Sequence, residues 1–191
     1  MLRWTQKKRS VRKGGDDYAT HSDFCAVFLQ QLDRLYSLAL ILIGDERTAE
    51  ECLLGALDFS KQQNPVFKES AVSWSRRNII KTAIRSVSPA PLSTARYYFS
   101  GPRRDRNFDQ HVWIKCVLEL PDFERFVFVM SVLEGYSDRD CSLLLGCSGS
   151  DVVAARIRAL QQISTKVTER HSGYGSGAES YGVDVDWLEC G

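Results

Sequence analysis

Residues 86–107, SVSPAPLSTARYYFSGPRRDRN, cut the chain in two. They carry three prolines and four serines and no helical period. Proline removes a backbone donor and blocks the helical conformation of its predecessor, so no helix runs through this stretch. On either side of it, apolar residues recur at spacings of three and four, the signature of amphipathic helices. No strand pattern with a pairing partner is present. The expected fold is all-α: two small helical domains joined by a flexible linker. The expected boundaries are a basic flexible arm over 1–20, a first domain over 21–88, the linker over 89–108, a second domain over 109–170, and a flexible acidic tail over 171–191.

In the first block, Ser22 or Asp23 is placed to cap a helix. Phe24, Val27, Phe28, Leu32, Leu35, Tyr36, Ala39 and Leu42 form its apolar stripe, and Gly44 ends it. Asp45 caps a second helix, which turns Ala49, Cys52, Leu53, Ala56, Leu57 and Phe59 inward. Asn64-Pro65 stops it. A third helix runs from about Phe67 to Val87, with Val72, Ile79, Ile80, Ala83 and Ile84 buried. The expectation is a three-helix bundle.

The second block reads as four helices: Asp109–Leu118, Asp122–Leu133 after Pro121, Ser137–Leu145, and Ser148 to about Thr168. Ser137 caps the third of these, with Asp140 three residues on as an imperfect capping box, and Leu143, Leu144 and Leu145 pack it. Gly146 supplies a left-handed turn. Ser148 caps the last helix, whose Val152, Ala155, Ala159 and Ile163 form an apolar stripe.

Catalysis finds little support. His21, His111 and His171 are scattered, and none lies in a metal-binding spacing. No nucleophile elbow and no P-loop occur. The six cysteines form no CxxC pair, and the first four fall at apolar helical positions, which suits buried free thiols in a reducing compartment. No catalytic residue, metal or cofactor is expected. The basic N-terminus has no apolar run behind it, and the longest apolar run, Leu38–Ile43, is too short for a membrane span. A cytoplasmic protein without a small-molecule substrate is expected.

Net charge is only +1, but it is unevenly placed. Residues 1–15 hold six bases and no acid, while the chain from Ser172 holds four acids and no base. Such an arm suits either a polyanion or simple solvation. Two internal constellations are more specific. Arg77, Lys81 and Arg85 share one helix face at i, i+4 and i+8, and they repel one another unless a polyanion or nearby acids relieve them. Arg76 flanks them, Asn78 could read a base edge, and Trp74 could stack on an unpaired base. The alternative is a solvated basic face. In the second block, a helix-turn-helix would set the start of its last helix into the major groove. That start offers Ser148, Ser150, Asp151 and Val153, with Arg156 and Arg158 following to reach phosphate. The alternative is a packed helical hairpin.

In their order, these motifs resemble bacterial extracytoplasmic-function sigma factors, the small promoter-specificity subunits of RNA polymerase. The resemblance covers residues 22–87 and 109–166. It rests on Leu35-Tyr36-Ser37-Leu38-Ala39-Leu40, Ile43-Gly44-Asp45, Ala49-Glu50-Glu51 and Arg77-Asn78 with Arg85 in the first block. In the second it rests on Leu120-Pro121, Arg125, Gly135-Tyr136-Ser137, Leu145-Gly146-Cys147-Ser148, Val152 and Arg158-Ala159. What the resemblance implies is a divergent sigma factor whose partners are core RNA polymerase, promoter DNA and an inhibitory anti-sigma protein. It implies contact with the −10 element through Trp74, Arg76, Arg77, Asn78, Lys81 and Arg85. It implies contact with the −35 element through Ser148, Ser150, Asp151, Val153, Arg156 and Arg158. It implies core-polymerase binding through Glu50, Glu51, Leu54 and Asp58.

Two stretches depart from the family pattern. Leu54 and Gly55 replace a polar pair on the polymerase-facing helix. Ser150-Asp151-Val152-Val153-Ala154-Ala155 lacks the lysine and arginine found there in the family, and it adds an acid. With fewer cations on phosphate, binding to any sequence weakens. Two other readings therefore stand beside the first: a sigma-like protein that has lost promoter reading and regulates by binding a partner protein, and a stand-alone helix-turn-helix regulator.

Overall fold

The structure is a computed structural model; it describes residues 17–61, 65–91 and 112–173. All named elements among them are helical, with one isolated bridge between Tyr18 and Phe67, whose rings stack at 4.9 Å. The helices fall into two compact units. The first holds α1 (His21–Gln30), α2 (Leu32–Ile43), α3 (Glu46–Lys61) and α4 (Ala71–Val87). The second holds α5 (Val112–Leu118), α6 (Asp122–Phe128), α7 (Asp138–Leu145) and α8 (Gly149–Gly173). Residues 1–16 of the arm, 62–64 with Asn64 of the expected break, 92–108 of the linker, the expected helix start at 109–111 and the tail from 174 with Cys190 lie outside the described residues.

The first unit has four helices, not three. Thr20, rather than Ser22 or Asp23, caps α1. Its hydroxyl accepts the Asp23 amide at 3.3 Å, and the Asp23 carboxylate accepts the Thr20 amide at 2.7 Å, a complete capping box. The apolar stripe expected to be one helix breaks at Gln31, where φ −110° and ψ 17° leave the helical region and the axis bends by 78°. The bend lets both halves lie on the α3–α4 pair, which one straight rod could not do. Phe24 and Phe28 are buried from α1, and Leu35 with Leu38–Ile43 from α2, while Leu32 beside the bend is exposed. Gly44, at φ 77°, ends α2 in the left-handed conformation that a side chain would resist. Asp45 then caps α3 by accepting the Thr48 amide at 2.8 Å.

Ala49, Cys52 and Ala56 seat α3 against α4. A β-carbon at Gly55 would meet the Thr82 methyl at 3.4 Å, an ordinary van der Waals contact. A 3-10 turn over Lys68–Ser70 precedes α4, and Val72, expected inside, is exposed. Ile79, Ile80 and Ala83 fill the core.

The second unit centres on α6, where Phe123 to Phe128 are all buried. Arg125 donates to the Leu118 and Leu120 carbonyls at 3.2 and 3.4 Å, satisfying acceptors that the end of α5 leaves open. It also donates to Asp122 at 2.5 Å. Burial pushes the Arg125 pKa down, and Asp122 opposes that push. The helix expected from Asp122 to Leu133 does not stay α: from Val129 to Leu133 it widens into a π-turn, closed by the Glu134 amide on the Val129 carbonyl at 2.9 Å.

Ser137 caps α7, and Gly146 ends it at φ 66°. Cys141 is the buried residue of α7; Leu143, expected to pack, is 71% exposed. The described cysteines are free thiols, with Cys52, Cys116 and Cys141 buried and Cys25 and Cys147 half-buried. Desolvation raises Cys52 to about 12 and, aided by Asp138 and Asp140, Cys141 to about 11. Among the described residues, no single helix is long and apolar enough to cross a membrane.

Candidate nucleic-acid interface

The α4 face brings Arg77, Lys81 and Arg85 together as the periodicity required. Repulsion is visible in the chemistry: Lys81 has its pKa lowered by desolvation and then by Arg77 and Arg85. Among the described residues, none of the three forms an ion pair with a carboxylate. Aromatic faces hold two of them instead. The Lys81 ammonium lies 5.4 Å from the Trp74 ring centroid and 5.9 Å from that of Phe59, and the Arg85 guanidinium lies 4.5 Å over Phe59. Trp74 is half-buried, with its indole nitrogen buried and unpartnered. Arg76 is half-buried on the same helix.

Asn78 corrects the expectation of a base-reading side chain. It is 0% exposed, and its amide donates to the Ser60 hydroxyl at 2.8 Å. The Ser60 hydroxyl in turn donates to the Ala56 carbonyl at 2.8 Å. The pair is a polar tie between α3 and α4, and no base edge reaches it. The physical reason is the helical step: 78 lies one residue from 77 and so faces the core with Ile79 and Ser75.

The α7–α8 pair corrects three more expectations. Asp151 is not a free acid, because its carboxylate is engaged in the cap of α8. Its carboxylate accepts the Ser148 amide at 3.1 Å while the Ser148 hydroxyl accepts the Asp151 amide at 3.1 Å, a full capping box. Hydrogen bonds from Ser148 hold the Asp151 carboxyl below the usual range. Ser150 shares a 2.8 Å hydrogen bond with the Ser148 hydroxyl. Arg156 forks onto the Asp138 carboxylate of α7, and Arg158 donates to Glu124 of α6 at 2.9 Å. Both arginines expected to reach phosphate are thus engaged inside the unit. Ala155, at the position where the family carries an arginine, is buried. The outward residues Val153, Ala154, Ile157 and Leu160 carry no charge, and Ile157 is 50% exposed.

On α3, Glu50, Glu51, Leu54 and Asp58 are all exposed. Glu50, Leu54 and Asp58 form one stripe at i, i+4 and i+8. Glu51 accepts from Arg47 at 3.4 Å.

No family model and no curated protein matches the sequence. Among solved structures, the chain is similar to the sigma factor RpoE from Bartonella quintana, solved as a co-crystal with the anti-sigma factor NepR. The likeness has a TM-score of 0.46 and 16% sequence identity, over 77% of this chain and 98% of that one. So loose a superposition assigns neither a residue nor an activity.

Two residues of the site carry no signal in the sequence pattern that was strong enough to single them out. Phe59 is expected in the apolar stripe, whereas it carries two cations. Glu124 belongs to no motif, and the neighbouring Arg125 hides its need for a distant cation. Among the described residues no cluster of His, Cys, Asp or Glu is placed to hold a metal ion. The α4 face can bind a polyanion by charge, the α8 face can bind an apolar surface, and the α3 stripe presents an exposed leucine between two acids.

Proposed function

We propose that the chain is a divergent sigma-type transcription factor: a non-enzymatic cytoplasmic protein that binds core RNA polymerase and directs it to promoters. Residues 21–88 and 109–170 act as its two functional domains. The observation that carries this reading is the Arg77–Lys81–Arg85 stripe, which no described carboxylate neutralises and which falls at the Arg-Asn motif position of the family pattern. Three like charges on one face favour a polyanion such as the −10 promoter element. The exposed stripe of Glu50, Leu54 and Asp58, with Glu51 beside it, is the proposed polymerase contact. An anti-sigma inhibitor is a further proposed partner. Reconstitution tests the reading: the purified chain with core polymerase is expected to yield specific run-off transcripts. Absence of any stable complex with core polymerase would sink it.

A second reading gains support from α8. With Arg156 and Arg158 engaged and Val153, Ala154, Ile157 and Leu160 outward, the helix suits a protein surface better than a major groove. On this reading the chain regulates by binding a partner protein, and promoter duplex fails to compete in a pull-down. A stand-alone regulator built on 109–168 loses ground for the same reason.

A further inference from the structure

We propose that Phe59 of α3 is a positioning residue for contact with single-stranded nucleic acid, through the two cations it carries. The inference rests on the reading of the α4 face as a nucleic-acid surface. Phe59 belongs to a different helix from Lys81 and Arg85, and no motif of the family resemblance includes it. Its ring lies 4.5 Å from the Arg85 guanidinium and 5.9 Å from the Lys81 ammonium, which is also 5.4 Å from the Trp74 ring centroid. Phe59, Lys81 and Trp74 are half-buried, and Arg85 is exposed.

A guanidinium held over a ring by cation–π attraction has five N–H donors and keeps some of them free for other acceptors. An ammonium over a ring likewise keeps donors pointing away from it. Arg85 and Lys81 are therefore biased toward these ring-held positions yet remain able to donate to phosphate. Free lysine and arginine side chains lose rotamer freedom when they grip a ligand. Ordering them beforehand removes that cost, worth about 2- to 10-fold in affinity for each side chain. The rings also offset the repulsion among three cations that lack a described carboxylate. The ligand class is the sugar–phosphate backbone of a single strand, because a cation pair on one short face follows one strand and a neighbouring aromatic can take an unpaired base.

The test uses the full chain, free and assembled with core polymerase, and a fluorescein-labelled oligothymidylate read by anisotropy over a salt series. Phe59→Leu keeps most of the apolar volume and is expected to weaken binding about 2- to 10-fold per released cation. It is expected to flatten the salt slope by about 0.7 for each phosphate that the released cations no longer neutralise. Phe59→Tyr, which keeps the ring, is expected to restore both affinity and slope. If Lys81→Met weakens binding while Phe59→Leu leaves affinity and slope at wild-type values, the positioning role is overturned and the nucleic-acid face stands. A weakening in Phe59→Leu that Phe59→Tyr does not recover also overturns it, since a core defect would then explain the weakening. If neither wild type nor Lys81→Met binds the probe in either form, the nucleic-acid reading itself fails.

Discussion

The guanidinium of Arg158 on α8 donates at 2.9 Å to Glu124 on α6, a carboxylate only 1% exposed. The other oxygen of Glu124 has no hydrogen-bond partner. This one cation therefore carries most of the compensation for a charge inside the core of the second unit. Removing it strands the carboxylate. Arg158→Ala is expected to cost about 2–3 kcal/mol, below the ~3–5 kcal/mol of a fully buried broken pair because the Arg158 side chain is 37% exposed. Replacing both partners, with Glu124→Met and Arg158→Met, is expected to recover most of that stability. Urea unfolding of the three variants checks it; a double variant no better than Arg158→Ala would show that the pair is not the cause.

The tie between Ser60 and Asn78 makes a second prediction. Ser60→Ala leaves the buried Asn78 amide without its acceptor, and an unsatisfied buried donor costs about 1–3 kcal/mol. Thermal unfolding should show the drop, while oligothymidylate binding by the remaining folded protein stays at the wild-type level. A selective defect in binding with unchanged stability would return Asn78 to the ligand.

Asp151 gives a pH dependence. Hydrogen bonds from Ser148 favour its charged form, so its folded pKa lies below the ordinary 3.8. The contribution to stability is therefore complete above the unfolded value and is lost as pH falls through the folded one. The melting-temperature difference between wild type and Asp151→Ala is expected to be constant near neutrality and to shrink once pH drops below 3.8. A difference that persists unchanged in acid would argue against the charged cap.

The uncharged face of α8 gives a prediction of tighter binding. Val153 is exposed near the start of the helix, where a lysine could reach a phosphate. If α8 approaches duplex DNA, Val153→Lys should tighten binding and steepen the logarithmic salt slope by about 0.9, the value for one more neutralised phosphate. Fluorescence anisotropy with a random duplex over a salt series measures both. An unchanged slope would place this helix away from DNA and favour the protein-binding reading.

Much of the helical layout was legible because it rests on local chemistry. Asp45, Ser137 and Ser148 cap where their side chains can reach an amide, and Gly44 and Gly146 end helices where φ turns positive. The break at Gln31 was not legible, because apolar spacing continues through it and neither proline nor glycine marks it. Only the need to lay both halves on α3 and α4 produces the bend. The basic stripe on α4 was readable from spacing, since repulsion depends on helical geometry alone. The commitments of Arg156, Arg158 and Asn78 were not. For Arg156 and Arg158 the partner lies 18 or 34 residues away; the burial of Asn78 follows from the helical step, and only its partner Ser60, 18 residues away, lies outside any pattern along one helix.

The π-turn at Val129–Leu133 bears on how this chain can change length. A π-turn holds one residue more than the α-helical turn it replaces, so it stores an insertion inside a helix instead of expelling it as a loop. Ahead of it, α6 keeps its buried face; behind it, Gly135 and Ser137 still set the start of α7. Removing one residue from the turn would let the helix close in ordinary α register, and the segment beyond would rotate by about 100° relative to α6. The turn thus fixes the angular phase between the core helix and everything that follows it, and the pairing of Glu124 with Arg158 depends on that phase.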